Sequence, residues 1–368
     1  MRVAHLTSVH PRYDSRIFWK QCRSLAAAGH DVSLVVADGL PDEVCDGVKI
    51  AGVRKLPSRW KRMLVTPRRV LAKVLELDAD IYHLHDPELL TVALALKRAG
   101  KRVVFDSHED VPRQILSKHY LWKPIRSSVS WLAAAYERFV CSRLDAVVAA
   151  TPTIREKFLR INPRTIDVNN YPLLGEFDAF SATDDSPKDA AVCYVGGISA
   201  VRGIKELVRA LALTSGSMKL LLAGSFIESE VSAEVRTMEG WRRVEELGWL
   251  GRDGVGEVMQ RSLAGIVTLH PTLTYMDALP VKMFEYMSAG LPVIASDFPL
   301  WRRILDDAKC GICVDPMDPK AIAGAIDWIA AHPEEARRMG ENGQRAVRER
   351  YNWHEEGRKL IGLYRSLS

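Results

Sequence analysis

The sequence predicts an α/β protein built from two doubly wound, parallel-sheet domains. Three observations predict it. The chain has 368 residues, too many for one compact core. Short apolar strands alternate with helical stretches along its length, which argues for parallel sheets covered by helices. The alternation stops at a polar stretch, 175–189, and then restarts. The composition, 47% hydrophobic and 26% charged, is that of an ordinary globular protein.

The elements follow in order. Residues 2–9 read as the first strand, and 15–28 have helical spacing that stops at Gly29. Strands are expected at 31–37, 81–84, 102–106 and 146–150, with a helix at 153–160. Beyond the linker come a strand at 192–195, a helix at 203–213, and strands at 219–222 and 265–269. A helix at 281–289, a strand at 292–296 and a long helix at 333–350 complete the reading, before a final short helix. The expected domains are residues 1–175 and 190–345, with 346–368 returning as a terminal helix. Ligands of doubly wound sheets sit at the carboxyl ends of the strands, so a cleft between the two domains is the expected site.

Composition excludes several classes. No apolar run reaches the ~18–20 residues that cross a bilayer. The opening MRVAHLTSVH has no apolar signal core, so a cytoplasmic location is expected. The six cysteines are scattered and suggest no disulfide framework. Cys310 and Cys313 have CxxC spacing without a second pair or a nearby histidine pair, and read as a short strand of small residues.

The segment TYMDALPVKMFEYMSAGLPVIASD carries the most chemistry. Pro280 suits the first turn of a helix. The backbone N–H groups of Val281, Lys282 and Met283 would then form an anion site suited to a diphosphate. Asp277 lies in the loop before that helix, where it can accept hydrogen bonds from sugar hydroxyls. Glu285, eight residues later and inside the helix, can accept from ribose hydroxyls. A second segment, YVGGISAVRG, runs from a strand through Gly196 and Gly197 to Arg202, an arrangement that brings backbone and a bidentate cation to phosphate.

These residues resemble the retaining glycosyltransferases of family 4, which have the GT-B fold of two Rossmann-like domains facing a cleft. The resemblance covers nearly the whole chain, and its most specific part is 277–297, with wording close to bacterial polysaccharide-assembly members. It implies a metal-independent hexosyltransferase without a cofactor. It also implies a nucleotide-sugar donor, UDP being the commonest carrier, and a glycan or lipid-linked acceptor. Asp277, Glu285, Arg202 and His108 would be the catalytic residues. Gly196, Gly197, Gly224 of LLLAGS, Leu250 of VEELGWLG, Val281, Lys282 and Met283 would join them in donor binding. The sequence departs from the family pattern in two places: Asp277 stands where Glu is usual, and Gly197 stands where an Arg is usual. Arg202 occupies a Lys position, and Lys282 is a candidate for the second cation.

In the first domain, loops after three strands present candidate acceptor-side residues. They are His10, Asp14 and Arg16; His85 and Asp86; and Glu109 beside His108. By the resemblance, His108 faces the donor sugar; a neutral imidazole can hydrogen-bond a hydroxyl there. Asp78-Ala79-Asp80 has the DxD spacing of metal sites in another fold. It precedes a strand, at the edge away from ligand, and no metal is inferred.

Charge is unevenly spread. Residues 1–170 carry 28 Lys and Arg against 18 Asp and Glu, while the rest carry 23 against 28. Residues 54–73 hold eight basic residues and no acid. Residues 118–143 add Tyr120, Trp122, Trp131 and Phe139. Basic residues among aromatics suit an anionic membrane surface, so peripheral contact with the inner face of the membrane is expected. No nucleic-acid motif is present. A nucleotide-sugar isomerase or epimerase of the same fold, and a non-catalytic nucleotide-sugar-binding protein, are the alternative readings. A nicotinamide oxidoreductase is the least favoured alternative, since no GxGxxG follows the first strand.

Overall fold

A computed structural model describes residues 1–54, 59–117, 122–180 and 188–367. The chain divides into two compact units. Unit 1 comprises Met1–Asn170 with His354–Ser368, and unit 2 comprises Tyr171–Trp353.

Unit 1 is built on strands β1 (Arg2–Thr7), β2 (Asp31–Val36), β3 (Glu43–Cys45), β4 (Val48–Gly52), β5 (Ile81–Leu84), β6 (Arg102–Ser107), β7 (Ala146–Ala149) and β8 (Thr165–Asp167). Their order in the sheet is β3-β4-β2-β1-β5-β6-β7-β8. All neighbours are parallel except β3 and β4, which form an antiparallel edge. Cys45-Asp46-Gly47-Val48 turns that corner, with φ of 48° at Asp46 and 76° at Gly47. Two left-handed residues are what a tight hairpin turn needs, and Asp-Gly is its usual sequence. The sequence reading passed over this hairpin although the dipeptide announces it.

Unit 2 holds β9 (Ala191–Val195), β10 (Lys219–Ala223), β11 (Val244–Gly248), β12 (Gly265–Val267), β13 (Val293–Ser296) and β14 (Gly311–Val314). The order is β11-β10-β9-β12-β13-β14, all parallel. Both sheets are of the Rossmann-like, doubly wound kind that the strand–helix alternation predicts. The central strands read as continuous apolar runs because helices cover both faces. Β9, for example, is buried at every residue. Cys310 is buried just before β14 and Cys313 lies within it, both as free thiols.

In each sheet the order reverses at one pair, β1/β5 in unit 1 and β9/β12 in unit 2. Crevices open at the carboxyl ends of strands at such points. The loops that follow β1, β5 and β6 therefore share one edge of unit 1, and the loops that follow β9, β10 and β12 share one edge of unit 2.

Candidate functional site

In unit 2, β9 ends at Val195 and the chain turns through Gly196, whose φ is 107°. β10 ends at Ala223, and Gly224 follows with φ 147°. A Cβ on Gly224 would lie 2.0 Å from the Gly196 carbonyl oxygen. Two loops thus cross at backbone distance, which only glycine permits. Gly197 has a different reason. A Cβ there would come within 2.5 Å of Arg202 Nη1. Arg202 folds back to donate from Nη1 to the Gly197 carbonyl at 3.0 Å. Tyr194 Oη donates to the same oxygen at 2.8 Å. The glycine that stands in the usual Arg position therefore makes room for the guanidinium five residues on.

Lys282 completes this corner. It sits in the first turn of the helix Val281–Ser288, which no side chain caps and whose first turn holds no acid. Its Nζ lies 3.6 Å from the Tyr194 ring centroid. Beside Gly196, that Nζ would be 3.6 Å from an added Cβ. It is buried with no hydrogen-bond partner among the described residues. Burial, reinforced by the positive charge of Arg202, pushes the Lys282 ammonium down to about 7; Glu285 only partly opposes this. A buried, unpartnered ammonium is costly unless an anion joins it.

The expectation that Val281, Lys282 and Met283 all offer free N–H groups needs correction. Met283 N already donates to the Pro280 carbonyl at 3.0 Å, because the helix opens with a tight turn. Val281 and Lys282 remain as the first two helical residues. Glu285 is buried on the same helix and accepts from Arg252 Nη1 at 2.8 Å. Arg252 also bonds Glu176 at 2.7 Å and stacks over Phe177 at 4.7 Å. The sequence reading missed Arg252, since nothing in local spacing links it to Glu285. Asp277 and Leu250 are both partly buried. The loop of Asp277 is pinned by Trp301 Nε1, which donates to the Ala278 carbonyl at 2.7 Å.

Unit 1 corrects several of the acceptor-side expectations. Arg16 is buried, not presented to ligand. Its Nη2 and Nε donate to Asp106 at 2.8 and 3.1 Å, and its Nη1 donates to the Val168 carbonyl at 2.6 Å. Asp14 braces the turn that leads into the helix starting at Ile17, accepting from Arg16 N and Ile17 N at 2.8 and 2.9 Å. Asp86 is buried and holds the loop after β1, accepting from Thr7 Oγ1, Ser8 N and Val9 N. His85 is buried too, between His5 and His108. His10 and His108 keep some exposure, with ring centroids 4.8 Å apart. Burial works against protonation of His10, but the bond to Asp14 Oδ2 at 3.1 Å and nearby Asp86 raise it above the ordinary histidine value. Glu109 is exposed.

Ligand atoms of His83, His85 and Asp106 lie within 4.8 Å of one another. Arg16 already occupies both oxygens of Asp106, and a guanidinium in direct contact makes this a poor seat for a cation. Asp78 and Asp80 at the opposite edge bind Arg2 and Lys101, a structural use of the DxD.

Two family descriptions match the chain in tandem. "Glycosyl transferase 4-like domain" matches residues 15–170, and "Glycosyl transferases group 1" matches residues 177–346. The chain is a family 4 glycosyltransferase of the GT-B fold. The transferase is 24% identical to a phosphatidyl-myo-inositol mannosyltransferase of Mycobacterium leprae, over 95% of this chain and 89% of that one. In structure it is similar to a sucrose-phosphate synthase of Thermosynechococcus elongatus, with a TM-score of 0.76 and 21% identity, covering 100% and 98% of the two chains. It is also similar to Anabaena HepE in complex with UDP, with a TM-score of 0.74 and 15% identity over the whole of both chains. HepE has further been solved with UDP-glucose.

Proposed function

We propose that this transferase moves a sugar from a nucleotide-sugar donor, a UDP-sugar first, to a glycan or lipid-linked acceptor in cell-surface polysaccharide or glycolipid synthesis, with retention at the anomeric carbon. The observation that carries the reading is the corner made by Gly196, Gly197, Arg202 and the buried Lys282 Nζ. It gathers two cations and close-approach backbone at the ligand edge of one sheet, the chemistry a diphosphate needs. UDP in HepE and the lipid acceptor named for the mycobacterial relative support the choice of donor and acceptor class.

In the proposed reaction the bond from the anomeric carbon to the diphosphate oxygen breaks, and its electron pair leaves with the diphosphate. The acceptor oxygen bonds the same face of that carbon, and its proton passes to the departing phosphate oxygen. Arg202 and Lys282 stabilise the charge that develops on the diphosphate. Glu285, held by Arg252, accepts from ribose hydroxyls, Asp277 accepts from the donor sugar, and His108 donates a hydrogen bond to it. No step here calls for a metal or a cofactor.

Thermal stabilisation against UDP, GDP, ADP, CMP, dTDP and their common sugars tests this. One nucleotide series should raise the melting temperature, a site at 100 times its dissociation constant adding about 2.7 kcal/mol. Arg202→Ala should abolish the shift. No response to any nucleotide would overturn the donor assignment and favour a non-catalytic role. Conversion of the sugar nucleotide without acceptor would favour an isomerase.

We place the site of action at the inner face of the membrane. No helix among the described residues is long and apolar enough to cross a membrane. The helix Lys123–Cys141 instead exposes Ile125, Val129, Trp131, Leu132, Tyr136 and Phe139, with Trp122 just before it; Trp131 is 69% exposed. Arg138, Arg143 and Arg160 surround a shallow depression at its end, and Arg143 covers the Phe139 ring. Such a face fits an anionic interface. Tyr120 and residues 55–58 of the basic run lie outside the described residues. Vesicles with anionic lipid should carry the protein upward in a flotation gradient at low salt. Replacing Trp131 and Leu132 by Ser should leave it at the bottom, and a wild-type protein that stays there would remove the membrane from the proposal.

A further inference from the structure

Four imidazoles share one face of the unit 1 sheet, where a core normally holds apolar side chains. His5 in β1 and His83 in β5 are register partners, their rings 4.7 Å apart. His85, two residues beyond His83 on the same face, stacks on it at 4.8 Å. His108 follows β6. The terminal helix Trp353–Ser366 adds Tyr364, which is fully buried against them. Burial holds His5 and His83 well below the ordinary histidine value and His85 at about 4, so these three are neutral. A neutral imidazole has one donor and one acceptor, so the contacts among them determine where each proton sits.

The assignment starts at Asp106. Its two oxygens take three bonds from Arg16 and Gln21, which leaves the carboxylate ionised and able only to accept. His85 Nδ1 is 3.4 Å from Asp106 Oδ2 and must therefore carry a proton. His85 Nε2 is then bare, and it lies 2.9 Å from His5 Nδ1, which donates to it. His5 Nε2 is in turn bare, and Tyr364 Oη at 3.3 Å gives it the hydroxyl proton. With that proton spent, the Tyr364 oxygen accepts at 2.7 Å from His83 Nδ1. His83 Nε2 is left without a proton at the end of the row. It is the buried ring nitrogen of His83 that has no hydrogen-bond partner among the described residues. An unused lone pair is tolerated there more readily than an orphaned N–H. The row thus closes with one arrangement of protons.

The same logic reaches His108. Its Nε2 lies 3.5 Å from Asp106 Oδ2 and 3.2 Å from His85 Nδ1. The His85 Nδ1 proton fills that 3.2 Å hydrogen bond, so His108 Nε2 accepts it and the proton of His108 sits on Nδ1. We propose that Asp106, His85, His5 and Tyr364 are positioning residues, a hydrogen-bond row that fixes the ring of His108 with Nε2 bare and turns its protonated Nδ1 toward substrate as a donor. The row also ties the terminal helix to that ring through a single hydroxyl. The functional half of this proposal rests on the role given to His108 above.

The test is a long-range proton–nitrogen correlation spectrum of the full chain labelled with 15N-histidine, assigned by single replacements of His5, His83, His85 and His108. His5, His83, His85 and His108 should each show a protonated Nδ1 and a bare Nε2. A protonated Nε2 at His5, His85 or His108 overturns the row. Equimolar zinc should leave the spectrum unchanged, and a stoichiometric shift of His83 and His85 would make the cluster a metal site instead. Tyr364→Phe should mix the forms of His5 and His83. With the donor found by the nucleotide panel, it should also lower kcat about tenfold at unchanged donor KM. A lowered kcat with an unchanged histidine pattern would mean that Tyr364 acts only in packing. If His108→Ala kept full activity, the assigned role of His108 would fail while the proton pattern still stood or fell by the spectrum.

Discussion

Replacing Lys282 by methionine is expected to weaken binding of the donor by roughly 10- to 100-fold while raising the stability of the unliganded protein. The two effects have one cause. Lys282 Nζ is buried over the Tyr194 ring with no hydrogen-bond partner among the described residues. A charge-assisted hydrogen bond to phosphate contributes about 1.5–3 kcal/mol, which sets the loss in affinity. Without the anion the ammonium pays only for its desolvation, and methionine fills the same space without a charge. The pH dependence follows with its sign. The free lysine titrates at about 7, well below an ordinary lysine, chiefly through burial. The diphosphate binds the charged form and holds it charged. Affinity should therefore be flat below pH 7 and fall as pH rises above it, by up to about tenfold per unit. Lys282→Met should abolish the slope. Titration calorimetry with an intact UDP-sugar between pH 6 and 8.5 measures both, and a wild-type affinity that stays constant across that range would show that Lys282 does not meet the diphosphate.

Asp106→Asn should be the most destabilising single replacement in unit 1, at about 3–5 kcal/mol. It would strip the charge from the partner of Arg16, a buried residue only 4% exposed. Against the 5–15 kcal/mol that ordinary domains possess, such a loss is severe. Although burial alone would raise the Asp106 carboxyl, Arg16, followed by His108 and His85, outweighs it and holds the carboxyl well below the usual range. The group's folded value is thus depressed. Its contribution is present above the unfolded carboxylate value near 4 and is lost only as pH falls toward the folded one. Urea unfolding followed through the unit 1 transition at pH 7 should show the loss. The double replacement Arg16→Met with Asp106→Leu should recover much of it, since an apolar pair leaves no charge stranded. Equal destabilisation by the double and single replacements would place the cost in packing rather than in the stranded cation.

The predicted α/β class and most strand positions were legible because parallel strands, covered on both sides, write themselves as apolar runs. β5 falls at the residues expected, and β9 and β13 differ from expectation by a single residue at the start. The Gly196–Arg202 corner was legible in part, since glycine and arginine have specific uses beside phosphate. That Gly197 serves to admit Arg202 was not, because the reason is a distance rather than a spacing. Long-range pairs were the least legible. Arg252 lies 33 residues before Glu285, and Arg16 lies 90 residues before Asp106. A charged residue in a loop looks like a ligand-facing one until its partner is seen, which is why Arg16 and Asp86 were read as acceptor-side. The imidazole row had one visible trace. In IYHLH, histidines two apart on a buried strand must share a face, and the sequence reading used only the second of them.

Unit 1 is interrupted by unit 2: its last segment, from His354, is separated from Asn170 by 183 residues. On the ribosome this is a matter of time. At about 5–20 residues per second, roughly ten to forty seconds pass between the emergence of β8 and that of the terminal helix. Throughout that interval the imidazole face has strands and registers but no Tyr364 to close it. The first half of the chain to be made is therefore the last to be finished, and unit 2 can fold as an uninterrupted stretch before its neighbour is complete. A nascent chain stalled after residue 353 should be protease-resistant in unit 2 and vulnerable in unit 1.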